Sequence, residues 1–140
     1  LDDNDTINTG FNDMIMISRM LIGLGAALLL VVGLGLWFAV EQSMLQMGLS
    51  VTADRGLGTV RADIAGFFVA SGALGLAAAL SLNRNLLWPL QLLLVVALIG
   101  RIITFSIDGL SAAGPESMVI EVLLLVVLQW CRNLWPNTPV

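Results

Sequence analysis

Of the chain's 140 residues, 58% are hydrophobic and only 11% charged, less than half the roughly one-quarter charged share of a soluble domain, so it could not cover itself in water. A net charge of −4 drawn largely from the first thirteen residues, with six scattered arginines, excludes a nucleic-acid footprint. The absence of His and Lys removes the usual ligand for haem or copper, the commonest general base and Schiff-base chemistry.

Length sets the scale of one domain. There is no Tyr, and the single cysteine, Cys131, excludes an internal disulfide or a C-x-x-C redox pair. Cys131 is read as a small apolar filler. These gaps leave carboxylates as the only acid–base groups, so no enzyme is expected. No metal or cofactor is identified, although a bound lipid or other amphiphile would be compatible.

The chain opens on an acidic stretch, LDDNDTINTGFND, expected to be a solvated tail over residues 1–13. It lacks the basic n-region of a secretory signal, and the apolar run after it is too long for an h-region. That run, about 14–40, is the first predicted span, since roughly twenty apolar residues cross a bilayer core. Gly23, Gly25, Ala26, Ala27, Gly33 and Gly35 would let a neighbouring helix approach closely. Gly23-x-Gly25 and Gly33-x-Gly35 are no nucleotide loop, because no strand precedes them.

Glu41 and Gln42 end the first span. The connector to about Thr59 is apolar enough at its front to lie along the interface as a short helix, with a turn at Asp54, Arg55 and Gly56. The second span, about 60–82, places Ala65, Gly72, Gly75 and Ala79 close together on a helical wheel, a small-residue seam for helix packing. Asn83-Arg84-Asn85 is a short turn that returns the third span, about 86–107, antiparallel beside the second. Pro89 falls in its first turn, where a missing N–H costs little. The loop LSAAGPES leads to the fourth span, about 118–134, and a short C-terminal tail, 135–140, begins before Pro136.

Alternating spans bring the ends of spans one and three to the same side as the starts of spans two and four. That side collects Arg61, Asp63, Arg101, Asp108 and Glu121 from three helices. The opposite side holds Arg19, Gln91, Gln129 and Arg132. Arg101, Thr104 and Asp108 share one face of the third span. An ionisable group at that depth costs a few kcal/mol or more and usually faces protein or a polar cavity. Its expected partner is Glu121, assisted by Arg61, with Asp108 capping the loop or pairing with Arg61. Three roles stay open for this cluster: an ion-pair network that fixes helix register, a pocket for a polar or anionic head group, and a proton or ion pathway through Glu121 and Asp108. Trp37, Trp88, Trp130 and Trp135 all fall near span ends, as an aromatic belt requires.

Val60-Arg61-Ala62 with Gly66 in span two, Gly100-Arg101 and Asp108-Gly109 closing span three, and Glu121 opening span four resemble a family of small bacterial four-helix integral membrane proteins of unknown function. The likeness covers most of the chain, through motifs that are individually short. That family places an acidic residue before its Arg-Ala pair and an aromatic followed by Gly-Gly after it; this sequence has Gly58-Thr59 before, and Asp63 and Ala65-Gly66 after. The resemblance implies four helices and a bacterial membrane, and no reaction.

The expected fold is an all-α, up-down-up-down four-helix transmembrane bundle of left-handed twist, spanning residues 14–134. Counting short-loop arginines puts both termini in the cytoplasm, in a bacterial cytoplasmic (inner) membrane. The expected role is that of a non-catalytic accessory or scaffold subunit, in contact with membrane lipids and other integral membrane subunits through its small-residue faces and acidic tail. The alternative is a binder or carrier of a small amphiphile, lipid or quinone-like, seated at Arg61, Arg101 and Glu121.

Overall fold

Long apolar runs without internal proline favour uninterrupted helix, and the computed structural model is helical wherever the chain has regular structure. It describes residues 3–50, 52–109 and 114–136. Residues 110–113 of the expected third loop and 137–140 of the expected C-terminal tail lie outside the described residues, as do 1, 2 and 51. Helix α1 runs Asp3–Phe38, α2 Val40–Gln46, α3 Asp54–Thr59, α4 Ala65–Ser81, α5 Leu87–Asp108 and α6 Pro115–Leu134. A π turn, Val60–Ile64, joins α3 to α4, and a 3₁₀ turn, Arg84–Leu86, precedes α5. Four continuous helical segments, Asn8–Phe38, Arg55–Ser81, Arg84–Asp108 and Pro115–Leu134, are long and apolar enough to cross a membrane.

Two details go beyond the expected elements. The acidic opening is helical: no proline interrupts it, and the backbone continues from Asp3 onward as the first turns of α1, with residues 8–13 exposed. At 36 residues α1 is about 54 Å long by helical rise, well beyond the roughly 30 Å of a hydrocarbon core, so its exposed polar residues Asn8, Asn12 and Asp13 have room outside the apolar layer. Likewise Asp54, Arg55 and Gly56 open α3 rather than making a turn, because the helix of the second span simply starts earlier. The expected short helix after span one is present as α2. Val40 and Met44 bury one stripe of it, with Leu36 of α1, against Val60 and Ala65.

The small-residue seam determines how the first two spans meet. Ala65, Gly72, Gly75 and Ala79 are all buried, and α4 packs on α1 more extensively than any other two helices pack. A Cβ on Gly72 would lie 2.6 Å from Leu30 Cγ and 2.8 Å from both Ala26 O and Leu30 N. One on Gly33 would lie 2.9 Å from Val69 N. The helices approach this closely because at each contact one of them carries a glycine, Gly72 facing Ala26 and Leu30, and Gly33 facing Val69. The chain's own α1 occupies the seam.

The second pair, α5 and α6, joins the first at one end only. Ile22, Ala78, Ala79, Leu87, Leu90, Leu128, Cys131 and Trp135 form a core to which all four long helices contribute around the end of α4. The other core, Leu36, Val40, Met44, Val60 and Ala65, contains nothing from α5 or α6. Among the described residues, α5 has no buried residue after Gln91 and α6 none before Leu128. The result is a tightly packed α1–α4 pair with an α5–α6 arm rooted at one end. Trp135 belongs to that root. Only 2% exposed, it is a core side chain and not the belt residue its position suggested.

Candidate functional site

The polar side chains of α5 and α6 fall into two groups, one at each end of the arm. Near the free end, Arg101 Nε donates to Glu121 Oε1 at 2.7 Å, an ion pair between the facing helices. Its sequence neighbours Ile102, Ile103, Ile120 and Val122 are exposed apolar side chains. The Arg101 side chain is 35% exposed and that of Glu121 only 13%. The second carboxylate oxygen, Glu121 Oε2, is enclosed without a hydrogen-bond partner among the described residues. A Cβ on Gly114 would sit 3.3 Å from Arg101 Nη1, so the guanidinium also lies against the turn that opens α6.

Of the five charged residues expected to cluster, the structure brings these two together. Arg61 and Asp63 lie exposed on the π turn, and their side chains enter no hydrogen bond or ion pair among the described residues. Asp108 is exposed at the last residue of α5. What Arg61 contributes is its backbone. A π turn displaces the regular carbonyl ladder, and the carbonyl of Arg61 accepts from Trp37 Nε1 at 2.9 Å. The cross-helix bond ties the end of α1 to the start of the second span.

The rooted end holds a group that reading the sequence placed on one membrane side without assigning it a task. Arg132 Nη1 donates to Gln91 Oε1 at 2.6 Å. Gln91 Nε2 donates to Gln129 Oε1 at 3.0 Å, and Gln129 Nε2 to Asn133 Oδ1 at 3.0 Å. The Arg132 guanidinium carbon lies 5.6 Å from the centroid of the Trp88 ring, within cation–π range. An open groove of about 370 Å³ is lined by Gln91, Leu125, Val126 and Gln129. The sequence signal was there: Gln129, Arg132 and Asn133 are three and four apart on one helical face, opposite Gln91 in the first turns of an antiparallel neighbour. Arg19, on the same side, instead donates to Leu80 O at 3.2 Å in the last turn of α4, where a cation complements the helix dipole.

Among the described residues, no three of His, Cys, Asp and Glu come close enough together to hold a metal ion. Comparison with protein-family models, with curated proteins and with solved structures found no match. The chemistry therefore has to be read from the two polar groups themselves. One is a charge-paired couple among apolar sequence neighbours; the other is a chain of amides ending on an arginine.

Proposed function

We propose that the chain is a non-catalytic integral membrane subunit whose α5–α6 arm docks against the helices of larger membrane proteins. The observation that carries this reading is the position of the Arg101–Glu121 pair on an arm with no buried residue along most of its length. Lipid tails cover apolar side chains at no cost, but an ionisable pair at that depth is favoured where protein or a polar cavity covers it. The small-residue faces of α1 and α4 are taken up already, because the two helices bury them on each other. The arginine count of the short loops and the resemblance to bacterial four-helix proteins support a bacterial cytoplasmic membrane with both termini cytoplasmic.

The test is native mass spectrometry of the protein extracted from its own membrane in mild detergent, with photo-crosslinkers at Ile103 and Val119 on the arm and at Leu28 on α1. A second polypeptide in fixed ratio, crosslinked from the arm positions and not from Leu28, is the expected result. A lone chain that retains one defined amphiphile, lost in Arg101→Gln, would replace the subunit reading with that of a binder or carrier at the Arg101–Glu121 pair.

A further inference from the structure

We infer that the groove at the rooted end of the arm binds one anionic membrane lipid, its phosphate head group held by Arg132, Gln91 and Gln129 and an acyl chain laid along Leu125 and Val126. The site is distinct from the Arg101–Glu121 pair and independent of the docking role proposed above. Three observations lead to it.

The first is the polarity of the hydrogen-bond chain. Arginine has donors and no acceptor, so the 2.6 Å bond from Arg132 forces Gln91 to present its oxygen. Gln91 must then offer its NH₂ group to Gln129, and Gln129 its own to Asn133, as their 3.0 Å contacts record. Each amide oxygen in the row already accepts one bond and keeps one lone pair. The N–H groups left over are more numerous: one on Gln91, one on Gln129, both on Asn133, and those of the guanidinium beyond the Nη1–H that Gln91 accepts. Arg132 Nε is enclosed without an acceptor. The group therefore offers more donors than acceptors, and a ligand that complements it brings acceptors.

The second observation is charge. Arg132 forms no ion pair among the described residues, and the acids of α5 and α6, Asp108, Glu116 and Glu121, all stand toward the other end of the arm. Contact with the Trp88 face leaves the positive charge in place. Phosphate suits a guanidinium because its oxygens match the planar fork.

The third is the shape of the groove. Its polar wall is Gln91 and Gln129, and its apolar wall is Leu125 and Val126, one turn toward the middle of α6. That order, head group at the helix end and hydrocarbon toward the centre, is the order of a lipid in a leaflet. A free phosphate would use only the first wall.

The experiment titrates the full chain in neutral detergent with phosphatidylglycerol and with phosphatidylcholine of identical acyl chains, counting adducts by native mass spectrometry, with inorganic phosphate as competitor. One phosphatidylglycerol per chain is expected, held about tenfold or more tightly than phosphatidylcholine, the weight of one charge-assisted contact. Arg132→Gln should abolish that preference. Val126→Trp, which fills the groove from a position 62% exposed, should block the adduct without touching the polar row, and it decides the matter if Arg132→Gln fails to fold. Equal binding of the two lipids, or unchanged phosphatidylglycerol binding in the folded variants, overturns the inference. So does inorganic phosphate that binds as tightly as the lipid, since the acyl wall would then contribute nothing.

Discussion

Trp135 Nε1 donates to Ser18 Oγ at 2.8 Å, joining residues 117 apart at the root of the bundle. Ser18 passes the bond on to Ile15 O at 2.8 Å, and its own carbonyl lies 3.9 Å from the Cys131 sulfur. Both Trp135 and Ser18 are almost wholly buried. The bond therefore holds the end of the fourth span to the first where water cannot take over.

Ser18→Ala should leave the indole N–H without a partner, at a cost of about 1–3 kcal/mol for a buried unsatisfied donor. Thermal unfolding in detergent should show the loss. Trp135→Phe removes the donor together with its demand, so any additional loss in that variant reports packing. A Ser18→Ala protein as stable as the parent would mean that the indole finds another acceptor.

Gly72 and Gly66 sit six residues apart on one helix and make opposite predictions. At Gly72 a methyl group meets backbone atoms of α1 at 2.8 Å, which cannot rotate away. Gly72→Ala should destabilise by about 1–3 kcal/mol, the usual cost of overpacking. At Gly66 nothing lies within 4 Å of the added carbon, and Gly66→Ala should leave stability unchanged or raise it by up to about 1 kcal/mol through helix propensity. Melting the two variants side by side controls for the effect of alanine itself.

Trp37→Phe removes the N–H that the Arg61 carbonyl accepts at the π turn. The site is exposed, so the energetic effect should be about 1 kcal/mol or less. Local opening is the more sensitive readout. Amide hydrogen exchange over residues 60–66 should quicken in the variant while exchange at the far end of α4 stays slow. Uniform exchange along the helix would show that the π turn does not depend on the indole.

Much of this architecture was legible because a bilayer-length apolar run is an unambiguous signal. Run length, with the polar stretches that follow span one, lie at residues 83–85 and precede span four, delimits four apolar spans without any tertiary information. Arg101 and Glu121 stood out for a similar reason: a charge inside such a run is rare enough to demand an answer. Hydropathy could not say which apolar face meets a helix and which meets lipid, so the unequal pairing of α1–α4 and α5–α6 was hidden. The spacing of Gly72 and Gly75 announced a close approach but not the identity of the neighbour. Trp135 looked like a belt residue because its place after the last span is the same whether the ring turns outward or in. The row from Arg132 to Asn133 needed the register of α5 against α6, which a helical wheel drawn for either one alone does not contain.

The Arg101–Glu121 pair allows a test of how much that rare charge contributes to stability. Arg101→Ala takes away the one described partner of Glu121 Oε1, on a carboxylate whose Oε2 already has none. An exposed pair is worth about 0–1 kcal/mol, whereas breaking a buried one costs roughly 3–5 kcal/mol. With one side chain a third exposed and the other mostly covered, the loss should fall between those limits. Glu121→Ala should cost less than Arg101→Ala, because the group that loses the ion pair is then the more accessible of the two. The double variant should recover part of the loss, since neither charge is then stranded. Melting the parent, both single variants and the double variant closes the cycle. A coupling of about 1 kcal/mol or more would make the pair a stabilising contact of the arm. Strict additivity, or parental stability in Arg101→Ala, would mean that the pair stabilises nothing within the chain.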